Sequence, residues 1–80
     1  MERFKKFIDL TDKAIEIYES EASWKIKYEL IFSPEISRAI GETNVRFDYE
    51  DPDGSYQDDV ESFVYAVREK AEELRKSGLF

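Results

Sequence analysis

Six acidic side chains and no basic one stand between residues 48 and 59, in the run DYEDPDGSYQDD. Carboxylates at this density could hold a hard cation, do acid–base work or present a negative face to a partner. Spacing separates the three. An EF-hand calcium loop needs oxygen ligands at positions 1, 3 and 5, glycine at 6 and a bidentate glutamate at 12. With Gly54 at the glycine position, Asp51 and Asp53 fall correctly, but Tyr49 takes the first position and Val60 the last. The missing ligands are the ones that supply charge and clamp, so no specific metal site is expected. Catalysis is disfavoured as well. The chain has no His and no Cys, which removes the usual proton shuttle and the usual thiol nucleophile. Its three glycines, Gly41, Gly54 and Gly78, are scattered and form no phosphate-cradling loop. Two carboxylates act as acid and base only where their surroundings push their pKa values apart, and a turn followed by a first helical turn keeps such groups solvated and ionised. The expectation is a protein without enzymatic activity, cofactor or metal.

Charge is left as the informative quantity. Against 12 Lys and Arg stand 19 Asp and Glu, a net charge of −7. Seven of the acids (Asp48, Glu50, Asp51, Asp53, Asp58, Asp59 and Glu61) lie between Asp48 and Val67, where there is no base, and the other sixty residues balance. Turn and helix-start preferences account for several of these acids one at a time. They do not account for the absence of any interspersed Lys or Arg, since like-charge crowding costs stability. A localised negative face argues against direct binding of nucleic acid or anionic lipid. It suits a protein partner with a basic surface.

Among the elements that hold these residues, a helix is expected from Glu2 to Ala22, because Phe4, Phe7, Ile8, Thr11, Ala14, Ile15, Tyr18 and Ala22 recur at spacings of three and four. Residues 23–33, SWKIKYELIFS, switch to period two, with Trp24, Ile26, Tyr28, Leu30 and Phe32 inward and Lys25, Lys27, Glu29 and Ile31 outward. That alternation predicts an amphipathic strand. SPEISRAIG predicts a short helix, with Ser33 as cap, Pro34 at the first position and Gly41 at the end. Val45, Phe47 and Tyr49 against Arg46, Asp48 and Glu50 predict a second strand. Asp51, Pro52, Asp53 and Gly54 suit a type I turn, Ser55 caps a last helix, and Tyr56, Val60, Phe63, Val64, Val67, Ala71 and Leu74 form its buried stripe. Gly78 ends that helix, with Leu79 folding back on Leu74.

The layout is therefore a single α+β domain over residues 1–80, ordered helix, strand, short helix, strand, helix, with two long helices on one face of a small antiparallel sheet. No apolar run approaches the roughly 20 residues of a membrane span. The N-terminus has no apolar core and cleavage site of a signal peptide, so a soluble cytoplasmic protein is expected. At 3.6 residues per turn, Tyr65 falls nearly opposite the buried stripe of the last helix, among Asp58, Glu61, Arg68, Glu69 and Glu72. An aromatic on a charged face has no core to fill, and such residues are enriched where proteins dock on proteins. The candidate partner-binding face is thus Asp48, Glu50, Asp51, Asp53, Asp58, Asp59, Glu61, Tyr65, Glu69 and Glu72.

In size, acidity and compact α+β layout the chain resembles the small phage-type inhibitor proteins, of which anti-CRISPR proteins are one group. The resemblance spans the whole chain and rests on no motif, so it carries over no residue roles. It implies a protein-binding inhibitor that covers a basic, nucleic-acid-binding surface of its target. Nuclease-immunity proteins are similar in style and would use the same physics. The alternative class is a structural or oligomeric subunit, since the two open edges of a small sheet would let copies pair as a homodimer.

Overall fold

Three serines begin three helices by the same device. Ser23, Ser33 and Ser55 sit in extended backbone, and each hydroxyl oxygen accepts the amide three residues on, from Ile26, Ile36 and Asp58 at 3.3, 3.3 and 3.0 Å. The computed structural model, which describes residues 2–49 and 54–78, contains α1 (Glu2–Glu19), α2 (Trp24–Ile31), α3 (Pro34–Glu42) and α4 (Tyr56–Ser77). Among the described residues there is no strand. The α+β expectation is corrected to an all-helical fold.

The correction turns on residues 23–33, expected as a strand and found as α2. Helical geometry puts Trp24, Lys27, Tyr28 and Ile31 on one side, and this is the side that packs: Ile31 and Lys27 are buried, while Trp24 and Tyr28 lie against the core. Ile26 and Leu30, expected inward, are each 48% exposed. Lys27 is only 7% exposed, its ammonium donating to the carbonyl oxygen of Tyr18 at 2.7 Å and standing 4.4 Å from the Trp24 ring centroid. Tyr18 is in the last turn of α1, where carbonyl groups lack helical partners and the dipole is negative. A lysine there behaves as a core residue with a satisfied head.

Residues 45–49 keep the alternation expected of the second strand. Val45, Phe47 and Tyr49 are half-buried and Arg46 and Asp48 exposed, with Phe47 5.7 Å from Phe7 and 5.9 Å from Phe63, and Tyr49 5.5 Å from Phe63 between ring centroids. The segment has no strand beside it among the described residues, because its expected neighbour is α2. With no sheet among the described residues there is no sheet edge there, and the homodimer expected through one is withdrawn.

The ends of the elements follow local chemistry. The Ser20 hydroxyl donates to the Ile17 carbonyl at 2.6 Å, and α1 stops at Glu19 short of the expected Ala22. Helix α3 runs through Gly41, its expected end, to Glu42. The buried Thr43 hydroxyl then donates to Ile40 and accepts from the Val45 amide, and Asn44 turns the chain with φ of 56°. Gly78 ends α4 in the left-handed conformation that glycine favours. The expected turn at residues 51–54 and the fold-back of Leu79 lie largely outside the described residues. Helix α4 packs against α1 and α2, and α3 leans on both. The core is built of Phe7, Ile31, Val60, Phe63, Val64 and Val67, with Ala71 and Leu74 continuing the α4 stripe. Tyr56, expected in that stripe, is exposed at the first turn of α4, its ring 5.1 Å from that of Tyr28.

Candidate functional site

The outer face of α4 is set by its inner one. Burial of Val60, Phe63, Val64, Val67, Ala71 and Leu74 turns the opposite side to solvent, and Glu61, Tyr65 and Glu69 follow one another there at successive turns. Tyr65 is 72% exposed. Beside that ridge runs a lower row, Ser62 and Ala66, and across it stands Asp48 of the extended segment. Together Asp48, Glu61, Ser62, Tyr65, Ala66 and Glu69 line one open groove. It continues along α4 between Val45–Asp48 on one bank and Ala66, Glu69, Lys70 and Glu73 on the other.

The expected site residues therefore divide. Asp48, Glu61, Tyr65 and Glu69 meet at the groove, and Asp58 and Glu72 are exposed on the same α4. Asp59 is turned partly inward, with carboxylate Oδ1 buried and without a hydrogen-bond partner among the described residues. Glu50, Asp51 and Asp53 lie outside the described residues. Glu61 is half-buried because its Oε2 accepts the hydroxyl of Tyr18 at 3.4 Å, which ties the face to the end of α1. The sequence reading missed Ser62 and Ala66. Their signal is two small residues one turn apart beside an exposed aromatic, which leaves a notch in the helix surface.

Of the bases on α4, Arg68 is exposed three residues beyond Tyr65 and lines neither stretch of the groove, and the others lie toward the helix end or are engaged. Lys70 pairs with Glu73 at 3.3 Å, Arg75 with Asp12 of α1 at 3.5 Å, and Arg75 and Lys76 occupy the last turn, where the dipole favours them. Along the Tyr65 stretch of the groove no base is among the described lining residues. Among the described residues, no three carboxylates converge closely enough to hold a metal ion. No helix among them is long and apolar enough to cross a membrane. Comparison of the chain with protein-family models, with curated proteins and with solved structures finds no match in any of the three.

Proposed function

We propose that this protein is a non-catalytic docking module, an inhibitor or modulator that sets the acidic outer face of α4 on a basic surface of a partner protein. One observation carries the reading: an aromatic side chain 72% exposed stands at the stretch of the groove lined by Asp48, Glu61 and Glu69, where no base is among the described lining residues. Long-range attraction from such a face accelerates encounter and makes it salt-sensitive, and the tyrosine supplies contact area once docked. The basic surfaces most common inside cells are nucleic-acid grooves. The concrete form of the proposal is therefore a small anti-defence inhibitor of the anti-CRISPR kind, covering the nucleic-acid groove of its target in the cytoplasm.

The experiment is affinity capture from host lysate at low and at high salt. Recovery of a nucleic-acid-binding protein at low salt, lost at high salt, supports the reading. A partner held equally at both salt concentrations through another face overturns it.

A further inference from the structure

The peptide groups of Arg46, Phe47 and Asp48 have no hydrogen-bond partner among the described residues, while the amide just before them, at Val45, is held by the Thr43 hydroxyl at 3.3 Å. Three successive residues with open N–H and C=O groups are the raw material of a strand ladder. The segment is also fixed in place. Phe47 is wedged against Phe7 and Phe63, with Arg46 and Asp48 directed to solvent. In an extended chain whose side chains alternate in and out, the peptide groups point sideways, in the plane between the two faces. On one side of the segment lies the groove whose far bank is α4, where Ala66 contributes only a methyl group to the lining.

We infer that this groove receives an extended segment of the partner protein, which adds to Arg46–Asp48 as a strand and carries Arg or Lys side chains toward Glu69 and Asp48. Charge selects this occupant. Lys70 is paired with Glu73, so among the described lining residues Asp48, Glu69 and, further along, Glu61 face the groove against one cation, Arg46, that has no ion-pair partner among them. An aliphatic stem fits over Ala66 while its cationic head reaches a carboxylate, and Tyr65 offers a ring face to a guanidinium at the groove's end. A helix has no free backbone groups to pair with Arg46–Asp48, and nucleic-acid phosphates would meet like charge. Strand addition draws affinity from main-chain hydrogen bonds and selectivity from alternate side chains. The inference rests on the docking reading above and adds the form the bound segment takes.

The test uses three probes against the whole isotope-labelled chain, followed by amide chemical shifts: a short peptide alternating arginine and threonine, the same peptide N-methylated at the residues that would donate, and an alanine-based helical peptide of equal charge. Saturable shifts at Phe47, Asp48 and Ala66 with the first, and binding about tenfold or more weaker with the other two, are expected, about the effect of losing one or two net hydrogen bonds. Ala66→Leu, filling the groove, should abolish the response with the helical circular dichroism unchanged. Should that variant fail to fold, the methylated peptide on the native chain decides alone. Equal binding of all three peptides on the outer α4 face, with Arg46–Asp48 unmoved, overturns the strand inference and leaves the docking reading standing. No saturable shift on the acidic face with any of them at low salt overturns both.

Discussion

The Lys27 ammonium donates to the carbonyl oxygen of Tyr18 at 2.7 Å, and the Tyr18 hydroxyl donates to Glu61 at 3.4 Å. One tyrosine at the end of α1 is thus gripped by α2 through its backbone and by α4 through its side chain. Its ring lies 5.8 Å from that of Trp24. The short α2 is held to α1 by this contact more than by its own length, since a helix of eight residues is not stable alone.

Lys27 should accordingly matter to stability in spite of its charge. Replacing it by alanine removes buried stem, cation–π contact and a charged hydrogen bond, and should cost about 2–3 kcal/mol. Lys27→Met keeps the stem and should cost about 1 kcal/mol. Urea melts of both variants measure this; an alanine variant as stable as wild type would show that the ammonium contributes nothing.

The helical register of α2 makes a second prediction, opposite to the one a strand would make for Leu30. Ile31→Ala and Phe63→Ala empty buried space and should each cost roughly 2–5 kcal/mol. Leu30→Ala trims a half-exposed side chain and should cost about 1 kcal/mol or less. Finding Leu30 the costliest of the three in chemical denaturation would restore the strand register.

The acidic face should be dispensable for folding. Changing Asp58, Asp59 and Glu61 to their amides removes three charges and keeps the shape, and amide 61 can still accept from Tyr18. Stability should hold or rise a little as repulsion falls, offset by a few tenths of a kcal/mol of helix-dipole interaction. Association with the captured partner should slow and lose salt dependence. Tyr65→Ala should act through faster dissociation, because it removes contact area and not long-range attraction. Surface-plasmon kinetics at two salt concentrations separate these effects, and wild-type kinetics in both variants would move the binding surface elsewhere.

Calcium should bind weakly. Tyr49 and Val60 occupy the first and last ligand positions of the only register that suits Gly54, so a dissociation constant well above about 10 μM is expected by calorimetry. A tighter one would mean that the acidic stretch closes on a cation in some other register.

Much of this protein is legible from short-range chemistry. Ser33 with Pro34, Ser55 and Gly78 each act through groups within a few residues of themselves, so the starts of α3 and α4 and the end of α4 follow from the sequence. The exposure of Tyr65 follows likewise, because a 22-residue helix with one apolar stripe has a determined opposite side. Val45, Phe47 and Tyr49 also alternate with Arg46 and Asp48 as read, since extended backbone imposes period two whether or not a strand lies beside it.

Tertiary structure decided residues 24–31. Trp24, Ile26, Tyr28 and Leu30 satisfy period two, whereas Trp24, Lys27, Tyr28 and Ile31 satisfy the helical period once Lys27 counts as inward. Ile31 is the sign within the sequence itself, an apolar residue out of place in the outward row of a strand. What makes Lys27 an inward residue is the open carbonyl of Tyr18 waiting at the end of α1, and that oxygen reaches Lys27 only when the two helices have packed. The groove was hidden for the same reason. Its banks, Asp48 and Ala66, are distant in sequence, and Phe47 brings them together by packing on Phe7 and Phe63. A local pattern fixes which side of an element is apolar; which elements meet, and what they leave open between them, depends on contacts that no window of the chain contains.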